Sequence, residues 1–227
     1  RVPETYKDIP SKITRPFDYF HLNSISRDSD GNMLISARHT CALYKINRET
    51  GKVMWRMGGK DSDFKLASGF RFCYQHDFRP HPNGTYSIFE NGAADGELKP
   101  KARMSKAYIF RINQKKKTTA LVKTYIHPGN LLSPSQGNTQ LLPNGNVFTG
   151  WGSLEYCTEF APDGEVLWDM RYSAAAVTYR CYRSPWTGTP VPGAIGVKSE
   201  TDGPNSRVWV SWNGDTRVAE WRVLAGT

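Results

Sequence analysis

Apolar and polar positions along this chain alternate in short β-rich runs separated by turn dipeptides, and helical periodicity is almost absent. Asp30-Gly31, Asn83-Gly84, Asn144-Gly145, Asp163-Gly164 and Asn213-Gly214 sit between such runs and supply the positive φ angles that tight hairpins need. Aligned on these turns, the runs fall into sets of four. Phe20 to Ser26, Asn32 to Ala37, Ala42 to Asn47 and Lys52 to Met57 make the first set, with Thr50-Gly51 turning its last pair. His76 to Arg79, Thr85 to Glu90, Ala107 to Asn113 and Thr119 to Ile126 make the second. Gln136 to Leu142, Asn146 to Gly150, Tyr156 to Ala161 and Glu165 to Arg171 make the third. A less regular fourth runs through Val177 to Arg183, Gly193 to Val197, Arg207 to Trp212 and Thr216 to Leu224.

Four strands per unit at this spacing predicts an all-β fold, a β-propeller of four-stranded blades over approximately 18–57, 74–126, 135–171 and 177–224. Trp55, Trp168 and Trp221, near the last strands, are expected to fill the space between neighbouring sheets. No long Pro/Gly/Ser-rich linker divides the chain, so residues 1–227 read as one propeller domain or the C-terminal part of one.

Composition narrows the function classes. With 227 residues, 38% of them hydrophobic, the chain is long enough to bury a core. Thirty Lys and Arg against twenty-one Asp and Glu give a formal charge of +9, which favours anionic partners in general. The one dense cluster, Lys115-Lys116-Lys117, reads as a solvated hairpin tip, so nucleic acid is not an expected partner. No apolar run reaches the length of a membrane span. Cys41, Cys73, Cys157 and Cys181 form no CxxC pair, which argues against a zinc ribbon and leaves one or two disulfides open. With the glycosylation triplet Asn83-Gly84-Thr85, they lean the expectation toward the secretory pathway or secretion.

In a propeller the first strand of each blade lines the central channel. The first strands here offer His21 with Asn23, His76 with Asp77, Gln136 with Asn138 and Thr139, and Tyr179 with Arg180. Imidazoles, amides and guanidinium suit an anionic group, and Arg38, ending the second strand, has a planar fork that holds two oxygens at once. A metal site built from His21, His76 and Asp77 is the weaker reading, because Arg38 nearby would repel the cation; no metal or cofactor is expected. Tyr19, Phe20 and Trp151 are candidates to stack on an aromatic ligand, with packing between blades as the equal alternative. His39, His81 and His127 read as loop or edge residues.

Taken together, DYFHLNSI, DGNMLISAR, YKINRETGKVMWRMGGKDSDF, YQHDFRPHPNGTYSIFENGA, QGNTQLLPNGNVFTGWG, EFAPDGEVLWDMRY, YRCYRSPWTGTP and VSWNGDTRVAEWRVLAG resemble the arylsulfotransferase (ASST) family, particularly its eukaryotic, largely fungal branch. The resemblance implies a six-bladed propeller of which this chain would be the C-terminal part. It also implies transfer of a sulfuryl group from an aryl sulfate to a phenol, without a nucleotide donor, through a transiently sulfated histidine. His76 matches that histidine; His21, Asn23 and Arg38 match the groups around the sulfuryl oxygens. The family's further active-site histidine, from an earlier blade, has no counterpart in this sequence. Asn138, Thr139 and Tyr19 are the remaining candidates for substrate binding. The competing expectation is a non-catalytic secreted propeller that binds an anionic or aromatic ligand or a protein.

Overall fold

Four of the Asx-Gly turns close their hairpins with the same pair of backbone bonds. In each, the glycine N–H returns to the carbonyl three residues earlier, and that earlier residue's N–H takes the carbonyl just past the glycine, as in Asp28 to Asn32 and Leu142 to Asn146. Gly31 (φ 86°) and Gly145 (φ 87°) need the left-handed backbone that a side chain resists.

The computed structural model describes residues 4–7, 16–92, 104–173, 176–190, 196–212, 214–220 and 222. Twelve strands form three four-stranded antiparallel meanders. The first holds β1 (Leu22–Arg27), β2 (Met33–Ala37), β3 (Ala42–Ile46) and β4 (Val53–Gly58). The second holds β5 (His76–Pro80), β6 (Tyr86–Glu90), β7 (Lys106–Asn113) and β8 (Thr118–Tyr125). The third holds β9 (Asn138–Leu141), β10 (Val147–Gly150), β11 (Tyr156–Phe160) and β12 (Val166–Arg171). No helix among the described residues is long and apolar enough to cross a membrane.

The first strands of neighbouring sheets, β1 with β5 and β5 with β9, lie against one another without sharing a sheet. These sheets are blades of a β-propeller, and polar side chains bridge their inner strands. Ser24 Oγ accepts the Phe78 N–H at 3.0 Å, while Ser26 Oγ donates to the Phe78 carbonyl at 2.7 Å. One blade further, Asp77 Oδ2 accepts the Thr139 N–H and Ser87 Oγ donates to the Thr139 carbonyl, both at 3.2 Å. Away from the axis the seams are apolar. Trp55, Phe64, Phe70, Phe78, Tyr108 and Phe110 pack between the first two blades, and Phe89, Tyr125, Val147, Trp151 and Phe160 between the next two. Truncating a ring such as Phe78 to alanine in such a seam typically costs about 3–5 kcal/mol. A fully buried lysine lies beneath the first Asx-Gly turn: Lys45 Nζ meets Asp28 Oδ2 at 2.5 Å and Asp30 Oδ2 at 2.7 Å.

The fourth set of strands differs from expectation. Val177 to Arg183 contains no strand, because apart from one backbone bond, Gly137 N–H to the Tyr179 carbonyl at 3.1 Å, it is held by side chains and not by a backbone ladder. Asn138 donates to the Cys181 carbonyl (2.7 Å) and accepts the Cys181 N–H (2.8 Å); Gln140 does the same for Arg183 (2.8 Å each). Two amides at alternate positions of β9 thus hold alternate peptides of the crossing segment. The remaining regular structure is one hairpin, β13 (Val197–Asp202) with β14 (Asn205–Val210). Residues 216–220 form no strand, and Gly193 and Leu224 lie outside the described residues. Of the tryptophans expected between sheets, Trp55 is buried, Trp168 stacks on Phe148 while staying 44% exposed, and Trp221 lies outside the described residues. The chain divides into two compact units, 1–183 and 184–227. Within the second, Trp186 meets Trp212 edge-to-face at 6.1 Å.

Candidate active site

His76 opens β5 and is almost fully buried. Its Nδ1 lies 2.6 Å from Asn91 Oδ1 and 3.2 Å from the Tyr74 carbonyl, two acceptors, so Nδ1 carries the proton. The orientation of Asn91 follows from its other end, where Nδ2 donates to the carbonyls of Ser133 (3.1 Å) and Gln136 (3.0 Å). Nε2 therefore keeps its lone pair, toward which the Gln136 N–H points at 3.3 Å. Burial pushes the His76 pKa down to about 4, and the charges of Arg38 and His21 push the same way, against the opposing bonds of Asn91 and Tyr74. Near neutral pH His76 is an uncharged imidazole.

His21 immediately precedes β1 and is partly exposed. Its Nδ1–H donates to Asp18 Oδ2. The other nitrogen has no hydrogen-bond partner among the described residues. The Asp18 carboxyl is pushed up by desolvation, but the bond to His21 and the charges of His21, His39 and Lys7 outweigh this and hold it below its ordinary value. His39 lies in the β2–β3 turn, where the sequence reads as a loop, but it is buried. Its Nδ1 donates to the Asp18 carbonyl at 2.7 Å, its Nε2 accepts Arg38 Nη1 at 2.9 Å, and its ring stands 4.8 Å from that of His21. Burial lowers its pKa, with Arg38 and His21 adding to the effect, so it too is neutral. Asp18, His21 and His39 bring three possible ligand atoms within 4.8 Å of one another, yet both His39 nitrogens are engaged and a guanidinium stands beside them. That set is ill suited to a cation. The other metal set fares no better, because Asp77 is paired with Arg79 (2.7 Å) and Arg180 (3.4 Å).

Arg38 lies over the Tyr74 ring at 4.1 Å and reaches the Pro134 carbonyl with Nη2 at 3.2 Å, across to the third blade's approach loop. Asn23 is buried on a bulge of β1 and donates through Nδ2 to the Gln75 carbonyl at 2.8 Å, directly before His76. Its Oδ1 is buried without a hydrogen-bond partner. Asp77 lies in the matching bulge of β5. His21, Tyr74, Asp77 and Gln136 have φ of 53°, 56°, 57° and 65°, a non-glycine strain typically worth about 1–3 kcal/mol each. Such strain persists only where surrounding bonds over-determine the backbone, and here it gathers around His76.

The structure thus brings His76, His21 and Arg38 within electrostatic reach of one another, with Asn23 fastened to the neighbouring peptide. Tyr179, half-exposed, stands edge-on to His76 at 6.2 Å. Asn138 and Thr139 are turned to the frame: Asn138 grips Cys181, and Thr139 bonds Asp77, Ser87 and the Ile88 carbonyl. Tyr19 is 45% exposed beside Phe20, Phe20 packs on Tyr44, and Trp151 is wholly buried with its N–H on Thr158. Trp151 is therefore a packing residue. Disulfides join Cys41 to Cys73, just ahead of Tyr74, and Cys157 to Cys181, just past Arg180. Sequence reasoning missed Gln75 and Asn91. Gln75 sends Nε2 to Ser36 Oγ and to the carbonyls of Ala37 and Ala42, each at 3.1 Å. Asn91 directly follows β6, and nothing local in the sequence marks its amide as a tether.

A propeller whose inner strands converge on a neutral histidine, flanked by a guanidinium and a carboxylate-bound imidazole, is a scaffold for anion chemistry. The sequence model of the arylsulfotransferase (ASST) family matches residues 2–173, and the chain belongs to that family. No curated protein matches significantly. Among solved structures it is similar to the hydrazine synthase of Kuenenia stuttgartiensis (9% identity, TM-score 0.47, covering 89% of this chain and 49% of that one). It is also similar to a protein of unknown function from Bacteroides caccae (16%, 0.43, 68% and 47%) and to virginiamycin B lyase from Staphylococcus aureus (13%, 0.38, 67% and 56%). The chain spans about half the length of the first two, 49% and 47%.

Proposed function

We propose that this chain carries the sulfuryl-transfer site of an aryl sulfate-dependent sulfotransferase, with His76 as the nucleophile. The observation that carries the reading is the tautomer of His76: Nδ1–H is committed to Asn91, so the Nε2 lone pair belongs to a neutral, buried imidazole. Attack by Nε2 on the sulfur of an aryl sulfate forms the S–N bond as the S–O bond to the aryl oxygen breaks. A phenol then takes the group from sulfo-histidine, which makes the kinetics ping-pong. Charge spread over the three sulfuryl oxygens is met by the Arg38 guanidinium, while Asn23 fixes the peptide that carries the nucleophile. Tyr179 offers its ring to the aryl group. No metal or nucleotide is required. Two disulfides support an oxidising, secretory setting.

The test is release of a chromogenic phenol from 4-nitrophenyl sulfate with a second phenol as acceptor. Release is expected from the wild-type protein and not from His76→Ala. Equal release by the two would remove the reading. One observation favours a second function, a propeller that binds aromatic anions without transfer: the Arg38 fork is already held by His39, Pro134 and Tyr74. That function predicts saturable binding of the aryl sulfate with no phenol released.

A further inference from the structure

His76 accounts for the sulfur but not for the aryl oxygen, which must gain a proton when it leaves and lose one when the acceptor attacks. We propose that Asp18 positions His21 as the acid–base group for that oxygen, forming an Asp18–His21 pair; this rests on the transfer reading above. Asp18 Oδ2 accepts the Nδ1–H of His21, which commits that proton to the aspartate and leaves Nε2 as the atom that gives up and regains the exchanging proton. The aspartate is itself held from a second direction. Its backbone carbonyl accepts the His39 Nδ1–H at 2.7 Å, and His39 is braced by Arg38 Nη1 at 2.9 Å. With both nitrogens engaged, His39 serves as the wall against which His21 rests at 4.8 Å and takes no part in proton transfer.

The charged and titratable groups facing this pair come from three elements. Arg38 and His39 stand in the β2–β3 turn, His76 opens β5, and Lys7 reaches Asp18 from the N-terminal segment. Arg38 opposes a second positive charge beside it, and the Asp18 carboxylate is what offsets that when His21 is an imidazolium.

The proton balance closes over two half-reactions. In the first, His76 Nε2 donates its lone pair to sulfur, the S–O bond breaks, and the proton on His21 Nε2 passes to the leaving aryl oxygen. In the second, the acceptor phenol returns a proton to His21 Nε2, its oxygen bonds to sulfur, and the S–N electron pair goes back to His76. His76 keeps its Nδ1 proton on Asn91 throughout.

The experiment compares two donors in the full chain. The phenol of 4-nitrophenyl sulfate is acidic enough to depart as its anion, whereas that of phenyl sulfate needs the proton. Asp18→Asn is expected to lower kcat/KM for phenyl sulfate, which in ping-pong kinetics reports the donor half-reaction alone, by about 10²-fold while changing that for 4-nitrophenyl sulfate far less. His21→Gln should show the same donor dependence, the double variant should be no slower than His21→Gln, and Asp18→Glu should recover part of the phenyl sulfate rate. Equal losses with both donors, or additive losses in the double variant, would overturn the pair while leaving His76 in place. Loss of all His76-dependent transfer in wild type would remove the underlying reading and this pair together.

Discussion

Asn91 and His76 are joined by a 2.6 Å bond whose direction is set at the far side of the amide, by the carbonyls of Ser133 and Gln136. A residue just past the neighbouring strand of the same blade therefore decides which histidine nitrogen keeps its lone pair.

Exchanging that amide for a carboxylate should be more informative than deleting it. Asn91→Asp puts an anion beside Nδ1 and favours the imidazolium, in opposition to the burial that now holds His76 at about 4. In wild type, phenol release from 4-nitrophenyl sulfate should stay level from neutral pH down to about pH 5. In Asn91→Asp the acidic limb should move up by at least about one pH unit. A pH–rate profile measures this, and an unmoved limb would mean that His76 is not the titrating nucleophile.

Two buried groups should tilt stability with pH in opposite directions. His76 has a folded pKa of about 4, below the ordinary 6.5, so its share of stability is complete above pH 6.5 and is lost as pH falls toward 4. Glu90 is pushed up from 4.5 to about 7, first by burial and against Lys106, Tyr108 and Arg71; its share is complete below pH 4.5 and is lost as pH rises through 7. Each shift corresponds to about 3 kcal/mol. Between pH 4.5 and 6.5 the two slopes nearly cancel, so His76→Gln should grow more stable on acidification and Glu90→Gln less stable. Urea midpoints across that range provide the measurement, and parallel curves for the two variants would contradict it.

The crossing segment should come loose when its two amide clamps are cut. Asn138→Ala with Gln140→Ala removes four hydrogen bonds from the Cys181 and Arg183 peptides, each worth about 1 kcal/mol. Hydrogen exchange at residues 178–183 should quicken while that of β5 and β6 does not change. Uniform acceleration would point instead to global destabilisation.

Lys45 offers a large expected single effect away from the site. Lys45→Met leaves Asp28 and Asp30 facing each other without their cation, a loss of about 3–5 kcal/mol. Chemical denaturation measures it, and a loss of less than about 1 kcal/mol would mean that the carboxylates reach solvent when the lysine is gone.

The three blades were legible because their signals are local: an Asx-Gly turn and two β-rich runs around it identify a hairpin wherever they occur. The fourth set failed because Val177 to Arg183 has strand composition but is matched by side chains of β9, a pairing that alternation cannot reveal. For the site, motif position and residue type led to His76, His21 and Arg38, and the structure puts the neutral His76 within electrostatic reach of the other two. They did not lead to Asn91 or Gln75, whose importance lies in which carbonyls surround them after folding. Asn138 and Thr139 have the same polar appearance as the site residues but are bound to backbone, a distinction that only tertiary geometry makes.

The bonds from Asn23, Ser24 and Ser26 to Gln75 and β5, from Asp77 and Ser87 to Thr139, and from Asn138 and Gln140 to the crossing segment give each of these three seams its own lock. Serine hydroxyls key one seam, a carboxylate and a hydroxyl the next, and paired amides the third. Blades so keyed are not interchangeable: shuffling or duplicating one would mate a key with the wrong lock, even where the apolar faces still fitted.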